Sequence, residues 1–158
     1  MKFDYNKLKL TSKINMTNMH LFDENNKIKK YTNPNDIIKD FLKVKLKFLG
    51  KRKEYLKVSL QTDINISKNK KRFLEEIMND TIIVYKRKRD DIVNILSDKK
   101  YLTIDSKYDY LINMPISSFN IEKLDSLNKV IIDLETQLHK VINTTEKEFL
   151  LNDIKNLI

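Results

Sequence analysis

Apolar residues return every three or four positions from Ile37 to Leu56, through Ile38, Phe41, Leu42, Val44, Phe48, Leu49 and Tyr55, the period of an amphipathic helix. Its start is marked: Asn33 suits the N-cap, Pro34 the first helical position, and Asp36 puts negative charge in the first turn. The pattern predicts a helix to about Ser59, roughly 38 Å long at the standard rise. Gly50 interrupts it at a cost of about 1 kcal/mol relative to alanine. A second helix is predicted from Asn120 as cap, with Leu124, Leu127, Ile131, Leu134, Leu138 and Val141 at alternating spacings of three and four. That seam is too short for a free-standing dimeric coil and fits one partner helix, most simply the one from Pro34. A final amphipathic helix runs from Glu146 to Leu157.

Elsewhere the pattern is shorter. Thr17–Phe22 and Lys27–Tyr31 flank an Asp/Asn-rich turn at Asp23–Asn26 and read as a hairpin. Helices are expected around Lys70–Met78 and Asp90–Leu96, and β-branched Thr81–Tyr85 between them reads as a strand. The fold class is therefore mainly α with a small β part.

The chain has 158 residues, 41% of them hydrophobic, enough for a core in one domain or two small ones. Alanine is absent, glycine occurs once, and 27 lysines, 20 isoleucines and 17 asparagines dominate. Those residues have A/T-rich codons, so lysine and asparagine counts are discounted as functional signals. Charge placement says more than the total of +9. Residues 1–57 carry 15 basic and 6 acidic side chains, residues 58–105 carry 10 and 8, and residues 106–158 carry 6 and 8. The whole excess lies in the first third, which fits a basic end facing a polyanion or a solvated lysine-rich surface. Lys86-Arg87-Lys88-Arg89 is the densest basic run, either a solvated loop or helix start or a phosphate contact.

Little active-site chemistry is present. Zero cysteines exclude disulfides, thiolate metal sites and a cysteine nucleophile. His20 and His139 have no ligand-spaced companions, one glycine permits no glycine-rich phosphate loop, and Glu75-Glu76 and Asp90-Asp91 are adjacent pairs that diverge on a helix. No apolar run reaches the roughly 18 residues of a membrane span, and Met1–Tyr5 does not open a signal peptide. The expectation is a soluble intracellular protein.

Five colinear stretches carry a resemblance: Leu21-Phe22-Asp23 with Lys29-Lys30-Tyr31 and Asp36-Ile37-Ile38; Lys45–Leu56 around Gly50-Lys51-Arg52-Lys53-Glu54; Lys71-Arg72-Phe73-Leu74-Glu75 with Asn79–Ile83; Tyr108–Ile116 with Asn113-Met114-Pro115; and Thr145 to Ile154. Together they resemble the end of the DNA breakage-reunion region of eukaryotic-type (type IIA) DNA topoisomerase II. Where that family usually has tryptophan after Pro-Leu/Ile, this chain has Ser117, and its tail has Glu146 and Leu150 in place of proline and tryptophan.

The resemblance implies long antiparallel helical arms carrying a helical gate domain. Residues 1–33 would be the basic end of a tower-like β part, 34–60 the first coiled-coil arm, 61–119 the exit-gate region, and 120–158 the returning arm with the terminal helix. It implies an ATP-dependent isomerase that passes one DNA duplex through another, with this segment closing the dimer below the cleaved duplex. Lys7, Lys9, Lys13, Lys29 and Lys30 are then candidates for DNA contact. Leu111, Ile112, Met114, Ile116 and Phe119 are candidates for the dimer gate. ATP and Mg2+ are implied for the whole enzyme and none for this segment. The implied partners are double-stranded DNA, a second copy through the gate and the remaining domains or subunits, with no membrane, at a nucleus or viral replication site. The family's nucleophile is a tyrosine preceded by arginine, and none of Tyr5, Tyr31, Tyr55, Tyr85, Tyr101, Tyr108 and Tyr110 has that neighbour. The segment is thus expected not to be catalytic alone, whether an excised piece or a split-gene product. The alternatives are a free-standing basic helical accessory protein binding DNA nonspecifically, and a structural helical adaptor.

Overall fold

The structure, a computed structural model, describes Ser12 and residues 15–156. The chain divides into two compact units, Met1–Gly50 and Lys51–Ile158. In the first, β1 (Met19–Phe22) pairs antiparallel with β2 (Ile28–Tyr31), in a register that sets Met19 opposite Tyr31 and Phe22 opposite Ile28. The turn forms because Asp23 accepts from the backbone N–H groups of Asn25 and Lys27, both at 2.9 Å. Asn26 takes the left-handed conformation, φ 59°, that asparagine tolerates better than most residues. The hairpin and its Asp/Asn turn lie where the sequence puts them.

Helix α1 (Pro34–Met78) starts as expected: Asn33 Oδ1 accepts from the Asn35 N–H at 3.0 Å. Its end is not as expected. The pattern predicts a stop near Ser59 and a separate helix from Lys70, yet α1 runs unbroken for 45 residues, about 68 Å. The sequence Leu60–Asn69 is poor in helix formers. Tertiary burial overrides that: Ile64 is buried, while Thr62 and Asn69 satisfy their side chains locally by donating to the i−4 carbonyls of Val58 and Asn65.

In the second unit, α1 ends at a left-handed Asp80, φ 55°, with the N–H groups of Thr81 and Ile82 returning to the Glu76 carbonyl. Thr81–Tyr85 forms no strand. It still alternates as an extended segment does, with Ile82 and Val84 plugging the core while Ile83 and Tyr85 face out. No described strand runs beside it, so the extended stretch has nothing to pair with. Helices α2 (Arg89–Asp98) and α3 (Asp109–Ile112) and a 3-10 turn (Ile116–Ser118) follow. They close around Phe73, Ile82, Leu96, Tyr101 and Leu111. The Phe73 ring meets Tyr101 and Phe119 edge-on at 6.2 and 6.5 Å.

Helix α4 (Ile121–Asn143) is capped by Asn120, whose Oδ1 accepts from the Lys123 N–H at 2.7 Å. Its heptad positions are the inward ones: Leu127 and Ile131 are buried and Leu124, Leu134, Leu138 and Val141 half-buried. Lys53 of α1 donates to the Thr144 carbonyl at 2.8 Å, and Lys68 pairs with Glu135 at 2.7 Å. Rising number on α1 thus meets falling number on α4, and the two helices run antiparallel. Helix α5 (Glu146–Lys155) opens with a capping box between Thr145 and Glu148. Among the described residues no helix is long and apolar enough to cross a membrane.

Candidate nucleic-acid interface and dimer gate

Of the candidate cations, Lys7, Lys9 and Lys13 lie outside the described residues. Lys29 and Lys30 adjoin on β2 and therefore point to opposite faces. Lys29 shares its face with Leu21 and Tyr31 and is already engaged. Its Nζ lies 2.5 Å from Asp40 Oδ2 and 5.0 Å from the centre of the Tyr31 ring, while the Tyr31 hydroxyl donates to the same Asp40 oxygen at 3.2 Å. Lys47 reaches Glu24 at 3.3 Å. The groove between the hairpin and α1, about 750 Å³, is edged by Lys29, Lys43 and Lys47 but also by Asp23, Glu24 and Asp40. This balance makes it a clasp rather than a phosphate cradle. Lys30 is exposed on the other face with His20, Phe22 and Ile28.

The hydrogen bond from Lys29 holds the Asp40 carboxyl below the usual carboxylate range, and the same bond raises the Lys29 ammonium above its ordinary range. A lowered acid stabilises the clasp above its unfolded pKa and loses that as pH falls through the depressed value. A raised lysine stabilises it below its unfolded pKa and loses that as pH rises through the raised value. The hairpin amide shifts in NMR are therefore expected to hold native values between those limits and to collapse beyond both. In Asp40→Asn both limbs should disappear and the hairpin should loosen at neutral pH. An acid limb unchanged in that variant would show that Asp40 is not the clasp.

The five gate candidates separate by burial. Leu111 is fully buried in the unit's own core, a correction to its reading as a contact residue, since it has no surface to offer a partner while that core is intact. Ile112, Met114 and Phe119 are half-buried against the same core, Phe119 on the Phe73 ring. Ile116, held on the 3-10 turn after Pro115, is 88% exposed. The resemblance that marked these residues gave no way to tell core from surface, because a core plug and a contact residue are chemically alike.

One cluster escaped the sequence reading. Glu76 binds Arg72 and Lys99, each at 2.8 Å, and the Arg72 guanidinium stacks over Tyr101 at 4.5 Å. Burial pushes the Glu76 carboxyl up, but those hydrogen bonds outweigh it and hold it below its ordinary range. Burial, then the Glu76 charge, push the Tyr101 phenol well above the usual range, its hydroxyl being buried beside that carboxylate. The cluster ties the end of α1 to the end of α2. Glu76 with Arg72 at i, i+4 was the one signal in the sequence that hinted at it. Among the described residues no group of three or more His, Cys, Asp or Glu could hold a metal ion.

An antiparallel arm of α1 and α4 bearing a small helical head, with a clasped hairpin in the other unit, has a close counterpart among DNA-cleaving topoisomerases. The DNA-binding, cleavage and re-ligation domain of Plasmodium falciparum topoisomerase II superposes with a TM-score of 0.85 at 32% identity, over 95% of this chain and 24% of that one. The chain belongs to the DNA gyrase/topoisomerase IV A-subunit family, whose model matches residues 1–156. It is 37% identical to DNA topoisomerase 2 of Invertebrate iridescent virus 6 over 95% of this chain, and 30% identical to DNA topoisomerase 2 of Arabidopsis thaliana over 96%. It spans 13% of the length of each of those relatives, and so corresponds to one part of a type II topoisomerase.

Proposed function

We propose that this chain forms the coiled-coil arm and dimeric exit gate of an ATP-dependent type II topoisomerase, with its hairpin end bordering bound DNA. Two copies would meet through the head of each arm, hold the enzyme closed below the cleaved duplex, and part to release the transported one. The observation that carries this reading is Ile116: an almost fully exposed isoleucine on a short turn beside a packed apolar core. Met114 and Ile112 at its base would supply the rim of the contact, and Phe119 would support it from inside. Lys30, with Lys7, Lys9 and Lys13, would face DNA phosphates. ATP and Mg2+ would serve the rest of the enzyme, which would act in a nucleus or at a viral replication site. Nothing in the segment would cut DNA, for want of the arginine-preceded tyrosine. Sedimentation equilibrium of the chain tests the gate. A dimer whose population follows protein concentration is expected, and a monomer throughout the accessible range would remove the gate from this segment.

A further inference from the structure

The turn between α1 and α2 presents charge in a way the gate and the hairpin do not use. Ile82 and Val84 anchor it in the core of the second unit, and Ile92, Ile95 and Leu96 anchor the helix that follows. Between these anchors Tyr85 is 65% exposed, and Lys86 holds a left-handed backbone, φ 63°, against the steric preference of a residue with a Cβ. Lys86, Arg87 and Lys88 are exposed, and their side chains make no ion pair or hydrogen bond among the described residues. Lys68, Lys71, Arg72 and Lys99 of this unit each meet a carboxylate, whereas single lysines such as Lys70, Lys100 and Lys107 make no ion pair among the described residues; what sets the run apart is that three such cations adjoin on one turn. Arg89, the fourth cation of the run, is held by Asp109. Asp90 and Asp91 occupy the first turn of α2, where the helix dipole favours negative charge.

We infer that Tyr85–Lys88 is a second nucleic-acid contact, on the helical head, which takes the sugar–phosphate backbone of duplex DNA; this rests on reading the chain as part of a DNA-passing enzyme. Three cations displayed on one turn, with no buried donor behind them, enclose no single phosphate. A lone anion gains little there in physiological salt. A polyanion gains counterion release at every cation it meets, so an open row of charges selects for it. Tyr85 adds an exposed aromatic side chain next to the row, suited to lie against a sugar.

The test is affinity for a short labelled duplex across a salt series. It compares the wild-type chain with the combined Lys86→Gln, Arg87→Gln, Lys88→Gln variant, and with Lys30→Gln on the hairpin. Loss of three phosphate contacts should make log affinity against log salt shallower by about 2.7, with circular dichroism unchanged. Tyr85→Ala should weaken binding several-fold and leave the slope alone. An unchanged slope in the triple variant overturns the inference. The hairpin reading survives that result if Lys30→Gln still flattens the slope. A wild-type chain that binds no duplex at the lowest salt removes both. Inorganic phosphate that competes as well as duplex, phosphate for phosphate, would show a simple anion site and overturn the backbone contact.

Discussion

Replacing Phe73 with alanine should lower the unfolding free energy by about 3–5 kcal/mol, the largest effect expected of any single change in this chain. Phe73 is 2% exposed and sits where the end of α1, Tyr101 after α2, and Phe119 before α4 converge. Its removal deletes a large buried ring together with two edge-on aromatic contacts. It also leaves a cavity that packed neighbours close poorly, Leu96 and Leu111 of the same cluster being fully buried too. A urea titration followed by far-UV circular dichroism would show the midpoint falling with little change in slope. Tyr55→Ala is the control: its ring is 72% exposed, and the cost should stay within about 0.5 kcal/mol. A Phe73→Ala loss below about 1 kcal/mol would mean that the cluster is not packed as described.

The second large effect is on assembly. Ile116→Glu should weaken association of the chain by about 100-fold, as expected when a central apolar side chain is removed from an interface and a carboxylate is desolvated in its place. Because Ile116 is 88% exposed in the single chain, the substitution should leave the unfolding free energy within about 0.5 kcal/mol of the parent. That separation is the reason to choose Ile116 over Met114, whose side chain packs against the core and whose change to glutamate would confound folding with association. A variant that associates as tightly as the parent would exclude the 3-10 turn as the gate contact.

Local signals in the chain were readable at the starts of two helices and at one tight turn, where the backbone needs a particular side chain. Asn33 and Asn120 cap helices, and the Asp23–Asn26 turn closes the hairpin, because each supplies an acceptor or a left-handed conformer where the backbone requires one; the Thr145 capping box was not read. The heptad from Leu124 to Val141 showed which side of α4 turns inward. The unbroken α1 was not readable, since Leu60–Asn69 has poor helix propensity and is kept helical by tertiary burial at Ile64. The stretch Thr81–Tyr85 was misread for the opposite reason. Its β-branched and aromatic content was real, but a strand needs a neighbour that local sequence does not reveal.

The candidate site follows the same division. The chain by itself determined where positive charge accumulates, which helix faces are apolar, and, through its colinear motifs, the family to which it belongs. Only the tertiary structure decided how those residues are used. It set Lys29 against Asp40 and left Lys30 in solvent, one residue apart on a strand whose faces alternate. It also buried Leu111 and exposed Ile116, five residues along the same apolar stretch. Composition and period record what a side chain can do. Whether it meets a carboxylate, a ring or water depends on which distant residues the fold brings beside it.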